Sequence, residues 1–170
     1  MSPGAARGPD ADVPIVSVPM ARWAVAGTPT RIRTLLGSCV GVVLHDRQSK
    51  VGGVAHVVLP DSRGSLDQPG KYADTAVPAL LAELRRLNPL ARPVAKLLGG
   101  ASMFGGGPAA APAGLAIGQS NVEAVEAALA RLGVTVVARD LGGESGRRVT
   151  LDVATGVVSV RLPAGEQYDL

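Results

Sequence analysis

From Val13 onward, short Val-rich runs alternate with polar punctuation, and two later stretches switch to helical spacing. Val13–Val18 and Arg22–Val25 have the β-branched content of short strands, and Arg31–Leu36 leads into Gly37-Ser38-Cys39. Cys39–Leu44 and Val51–Leu59 are apolar runs on either side of Asp46-Arg47-Gln48-Ser49, which predicts a buried β-hairpin. Pro60–Gly70 reads as a surface loop. Tyr72, Ala76, Leu80, Leu84 and Leu87 then recur at helical spacing, with Val77 and Leu81 alongside. Proline inside a helix costs ~3 kcal/mol. Thr75 as N-cap would put Pro78 in the first turn, where N–H groups have no intrahelical partner, so the helix is placed from Ala76 to Asn88-Pro89.

Val94–Leu98 reads as a strand entering a glycine-rich stretch, Gly99 to Gly107. A second helix is expected to open at Ser120-Asn121-Val122-Glu123, which has the spacing of a capping box. Its buried stripe is Val122, Val125, Leu129 and Leu132, and Gly133 is placed to end it. Val134–Arg139 is the next strand, and Val149–Val153 with Val157–Leu162 form a hairpin about Thr155-Gly156. The order predicts an α/β (α+β) fold, a layered sandwich of mainly antiparallel strands with two long helices and no internal repeat.

Composition narrows the function. The 170 residues suit one domain, 13–170, behind a short disordered extension, 1–12, that lacks the apolar core of a secretory signal. With 46% hydrophobic residues the chain is not disordered. One cysteine excludes an intrachain disulfide, and with two histidines it cannot close a Cys/His zinc site, so no metal is expected. The net charge of +3 comes from scattered arginines with few stacking aromatics, which argues against nucleic-acid binding. No apolar run approaches the ~20 residues that cross a bilayer. A cytoplasmic monomer is expected.

Cys39 and His56 are the most informative pair. A hairpin centred on Arg47-Gln48 would set them directly opposite, with Cβ atoms roughly 4.5–5.5 Å apart. There a protonated imidazole would lower the thiol pKa and create a nucleophile, with the Ser38 and Cys39 backbone N–H groups placed to hold an oxyanion. The plainer alternative is a small buried hydrophobe, the usual role of a lone cysteine in an apolar run. His45 reads as a solvated strand-end histidine. The glycine-rich stretch lacks the endings of phosphate-binding loops, so it reads as a backbone-dominated loop, flexible or close to the site. Asp140 to Arg148 reads first as turn chemistry, and Asp74 as an acidic residue at a helix N-terminus.

Six segments in order resemble the chemoreceptor glutamine deamidase family, CheD: LLGSCVGVVLHD (35–46), GGVAHVVLPD (52–61), GKYADTAVPALL (70–81), AKLLGGASMF (95–104), IGQSNVEAVEAAL (117–129) and DLGGESGRR (140–148). The resemblance implies a layered fold shared with toxin-type cysteine deamidases. It also implies a cysteine hydrolase that converts glutamine side chains of methyl-accepting chemotaxis receptors to glutamate through a thioester, with no cofactor. It puts the nucleophile at Cys39, the histidine at His56 and a third member at Thr34, the nearest threonine upstream, and it implies a CheC-type phosphatase as a competing partner. Two alternatives stay open: a non-catalytic module docking receptors or CheC, and a receptor glutamyl methyl ester hydrolase on the same scaffold.

Overall fold

The computed structural model describes residues 12–102 and 111–170. All but the last residue of the expected N-terminal extension, and the glycine-rich stretch from Met103 on, lie outside the described residues. The strands are β1 (Ile15–Ser17), β2 (Trp23–Gly27), β3 (Arg31–Leu36), β4 (Val40–Asp46), β5 (Val51–Val57), β6 (Val94–Gly99), β7 (Val136–Leu141), β8 (Arg147–Asp152), β9 (Val158–Arg161) and β10 (Gln167–Asp169). Two helices, α1 (Ala73–Leu87) and α2 (Ala111–Arg131), complete the order.

The strands form two five-stranded sheets, β1-β3-β8-β9-β10 and β2-β5-β4-β6-β7. The pairs β1–β3 and β6–β7 are parallel and the others antiparallel. The second sheet is the middle layer. One of its faces carries Val40, Val42, Leu44, Ala55 and Val57 against α1 and α2. The other carries Val43, Val54 and Leu98 against Ile32, Val149, Leu151 and Val160 of the first sheet. A strand covered on both faces cannot alternate apolar with polar residues. That is why β4 and β5 are buried at every position and why their sequences read as unbroken apolar runs. With few aromatics available, both cores are built from Val, Leu and Ala.

Local structure departs from expectation at both helix starts. Tyr72, extended at φ −113° and ψ 142°, is the N-cap of α1, and no side chain caps it. The Thr75 hydroxyl donates to the Pro69 carbonyl (2.6 Å) and the Tyr72 carbonyl (3.3 Å) and so does not cap. Pro78 therefore stands inside the helix, on its half-exposed face. Asp74 uses its carboxylate to accept from the Ser62 amide (2.9 Å) and hydroxyl (2.7 Å), tying the 60–70 loop to the helix. The second helix starts at Ala111, well before Ser120: Pro112 falls in its first turn, and the alanines, Leu115 and Gln119 carry the helix across Gly114 and Gly118. Glu123 bonds Gln119 one turn back (3.0 Å) instead of closing a capping box. The stripe of Val122, Val125, Leu129 and Leu132 does face the core, and the helix ends before Gly133, at φ 69°. The chain also returns after the β8–β9 hairpin to add β10 along β9, a strand the sequence pattern did not announce.

Candidate functional site

Alternation along β3 and β5 decides what meets between the sheets. Ile32, Thr34 and Leu36 point inward from β3, and Val54 and His56 point inward from β5. Thr34 and His56 thus face each other, at 3% and 5% exposure, with Thr34 Oγ1 2.9 Å from His56 Nδ1. The same hydroxyl donates to the Val18 carbonyl at 2.9 Å, and a carbonyl only accepts. A threonine hydroxyl has one proton, so the proton between Thr34 and His56 must be on Nδ1. The imidazole is thereby held as the tautomer whose Nε2 carries the lone pair. Nε2 is buried and has no hydrogen-bond partner among the described residues. Burial also pushes the His56 pKa down, which favours the neutral ring.

Cys39 is not opposite His56. Gly41 is, because the β4–β5 pairing runs from Val40↔Val57 to Asp46↔Val51 around a four-residue turn, 47–50. Asp46 fixes that turn by accepting from the Gln48 amide (3.0 Å) and the Ser49 hydroxyl (2.7 Å), with Lys50 at φ 50°. The hairpin centre thus sits one residue later than expected and the pairing shifts by two. Cys39 lies in the bend just before β4, two residues ahead of Gly41, so it is diagonal to His56 instead of opposite it. The thiol is buried, and burial pushes its pKa up. Burial thus acts on both groups in the same sense, favouring the uncharged thiol and the uncharged imidazole.

Backbone grips the turn around Cys39. Its carbonyl accepts from the Gly100 amide (2.8 Å), and the Gly37 carbonyl accepts from the Ala101 amide (3.0 Å). Gly99, at φ 101°, lies so close that a Cβ there would overlap the Cys39 carbonyl oxygen, so only glycine fits. The start of the glycine-rich stretch is therefore packed against the site. The 140–148 turn joins it through Gly142 N–H to the Gly99 carbonyl and Ser102 N–H to the Gly143 carbonyl, each 2.9 Å. Arg147, buried, holds that turn by donating to the Asp140 and Gly142 carbonyls and pairing with the Asp140 carboxylate at 2.9 Å. Among the described residues, the amides of Ser38 and Cys39 donate no hydrogen bond.

A cleft of about 520 Å³ is lined by Met20, Arg33, Thr34, Leu35, His56 and Arg148, among others. A second, of about 590 Å³, is lined by Leu36, Gly37, Arg147, Arg161 and Pro163 and shares Leu35 and Arg148 with the first. Cys39 lines neither. His45 is no solvated strand-end residue: it is 6% exposed, its Nε2 lies 2.9 Å from the Val153 carbonyl, and a Cβ at Gly156 would strike its ring. The β8–β9 turn folds over it, a tertiary contact that a strand-end position does not reveal. Asn121, next to the Ser120 expected as a helix cap, is a fully buried strut whose Nδ2 donates to the Val58 carbonyl (2.9 Å), two residues beyond His56. Its only sequence signal is a polar residue next to the apolar stripe of α2. Among the described residues, no group of three or more His, Cys, Asp or Glu side chains could hold a metal ion. Nor is any described helix long and apolar enough to cross a membrane.

Comparison with known proteins places these features in a family. The family model described as "CheD chemotactic sensory transduction" matches residues 58–162. A protein of Desulforamulus reducens named "Probable chemoreceptor glutamine deamidase CheD" is 44% identical over 150 residues, covering 86% of this chain and 89% of its own. The "Chemoreceptor glutamine deamidase CheD" of Thermotoga maritima is 46% identical over 151 residues, covering 87% and 92%. A "Probable chemoreceptor glutamine deamidase CheD" of Methanococcus maripaludis is 44% identical over 152 residues, covering 88% and 96%.

Proposed function

The chain belongs to the CheD family, and from that premise we propose that it is a protein-glutamine deamidase acting on methyl-accepting chemotaxis receptors, with Cys39 as nucleophile, His56 as general base and acid, and Thr34 as the residue that orients His56. The observation that carries this reading is the arrangement around His56: Nδ1–H is bound by Thr34, and Nε2 is buried with no partner among the described residues. Buried ring nitrogens of a histidine that serves only the core are ordinarily both hydrogen-bonded.

The chemistry follows from neutral partners. His56 Nε2 takes the thiol proton as Cys39 Sγ attacks the glutamine carboxamide carbon, so the imidazolium forms only as the nucleophile is used. The C=O electron pair moves onto oxygen, and the amides of Ser38 and Cys39 receive the oxyanion. Collapse of the tetrahedral intermediate breaks the C–N bond, His56 delivers its proton to the departing ammonia, and a thioester remains. Nε2 then takes a proton from water, whose oxygen attacks the thioester carbon, releasing glutamate and restoring the thiol. Thr34 keeps the ring in the tautomer required at each proton transfer. No cofactor takes part. The protein works as a cytoplasmic monomer, and a CheC-type phosphatase competes with receptors for the same surface.

The test is ammonia release, with mass spectrometry of a purified receptor cytoplasmic fragment, by wild type, Cys39→Ala and His56→Ala. The expected result is conversion of specific glutamines to glutamate by wild type and its loss in both folded variants. Folded wild type that binds the fragment but releases no ammonia would overturn the reading and leave a docking module.

A further inference from the structure

The outer face of the first sheet, turned away from the middle layer, carries arginine in register. Across neighbouring strands, Leu35 of β3 pairs with Arg148 of β8, and Arg148 pairs with Arg161 of β9. Arg33 stands on the same face of β3, two residues before Leu35. Like charges set directly opposite in a sheet oppose folding, so the Arg148–Arg161 pair is a standing cost to stability. Neighbouring acids do not relieve it. Asp152 is paired with Arg31 at 3.3 Å, and Asp169 accepts from the Ser159 hydroxyl at 2.7 Å. Among the described residues, Arg33, Arg148 and Arg161 make no ion pair, and the Arg33 Nε is buried with no hydrogen-bond partner. The row starts at the cleft that holds His56: Arg33 and Arg148 line it with that residue, and Arg148 and Arg161 line the second cleft, which shares Leu35 and Arg148 with it.

Resting on the proposed deamidase reading, we propose that Arg33, Arg148 and Arg161 form a carboxylate-reading track that selects glutamines in acidic helices. The arginines stand on a sheet face and not along an edge strand, so the partner cannot bind by adding a strand and must lie across the face. Strand spacing sets the ruler. Arg148 is one strand from β3 and Arg161 two, about 4.8 Å and 10 Å away. A helix rises about 5.4 Å per turn. With the target glutamine entering the cleft that Arg33 and Arg148 line with His56, acidic side chains one and two turns along the helix come over the outer face, toward Arg148 and Arg161. Exposed Leu35, between the track and Thr34, supplies an apolar contact for the helix stem. The track therefore acts on substrate capture, not on the reacting atoms.

The probe is a synthetic helical peptide with one central glutamine and glutamates one and two turns away, compared with the same peptide carrying lysines there. Binding is read by fluorescence anisotropy with the full-length Cys39→Ala protein, and turnover by ammonia release with the wild-type catalytic residues. The expected result is tighter binding of the acidic peptide, weakened by salt. Arg148→Glu and Arg161→Glu should each weaken it three- to tenfold, roughly, by raising KM while leaving kcat unchanged. Arg148→Glu should also gain affinity for the lysine peptide, which loss of fold cannot produce. Equal binding of the two peptides, or charge reversals that leave KM unchanged, would overturn the track. Arginine-dependent capture of the acidic peptide without ammonia release would sustain the track and overturn the deamidase reading instead.

Discussion

Replacing Thr34 with valine keeps the shape of the side chain and removes one hydroxyl that serves two groups. His56 Nδ1–H loses its acceptor and the Val18 carbonyl loses its donor, both in a site where Thr34 is 3% and His56 5% exposed. A buried polar group left unpaired costs about 1–3 kcal/mol, so the two together cost roughly 2–6 kcal/mol. For a chain of this size each kcal/mol lowers Tm by ~2–4 °C, which puts the fall between roughly 4 and 24 °C. Activity should suffer separately. Without Thr34 the imidazole is free to move its proton to Nε2, the atom that must accept from the thiol, and kcat should drop about 100-fold, within the range of general-base contributions. Thr34→Ser keeps the hydroxyl and should retain most of the activity. The assays are thermal melting, ammonia release on a receptor fragment, and nitrogen NMR of the His56 ring to read its tautomer. A Thr34→Val protein with wild-type kcat and its proton still on Nδ1 would refute the argument. So would a Thr34→Ser protein as impaired as the valine variant, because packing of the methyl group would then be what matters.

Gly99→Ala should be costly out of proportion to one methyl group. The position sits at φ 101° and its Cβ would overlap the Cys39 carbonyl, so a loss of about 3 kcal/mol or more in urea unfolding is expected, together with reduced turnover. Arg147→Met leaves the Asp140 carboxylate with the Tyr168 hydroxyl alone (2.9 Å) and strips the donor from two turn carbonyls. Breaking a buried pair costs about 3–5 kcal/mol, and the partial exposure of Asp140 favours the lower end, again read by urea unfolding. Stability should also depend on pH through His56. Its folded pKa lies below the ordinary imidazole value, so below about pH 6.5 the unfolded chain binds the proton more readily. The stabilisation from neutral His56 is complete above that pH and is lost as pH falls toward the folded pKa. Wild type should melt progressively lower across that window, and His56→Gln should show a flatter dependence.

Much of this architecture follows from short-range pattern. Strand and helix positions are legible wherever period and punctuation agree: the unbroken Val-rich runs of β4 and β5, the stripe of α2, and Gly133 at its end. Cys39 and His56 stand out as residue types near one turn and one hairpin, while Thr34 comes into view only through the resemblance of six ordered segments to a family. Helix starts were less legible, since Ser120 and Glu123 spell a capping box that a longer run of helix formers overrides. The hairpin register was also out of reach, because it hangs on where the Asp46 carboxylate closes the turn, and one residue there moves every pair by two. Only the stacking of the two sheets decided which groups meet at the candidate site. It brings Thr34, from one sheet, to the Nδ1 of His56, from the other, and buries both the ring and the thiol. It folds the β8–β9 turn over His45 and sets three arginines in one track beside the cleft. Sequence fixes which side chains share a face, because alternation is local. Which faces meet, and how much water they exclude, is settled only when distant strands pack.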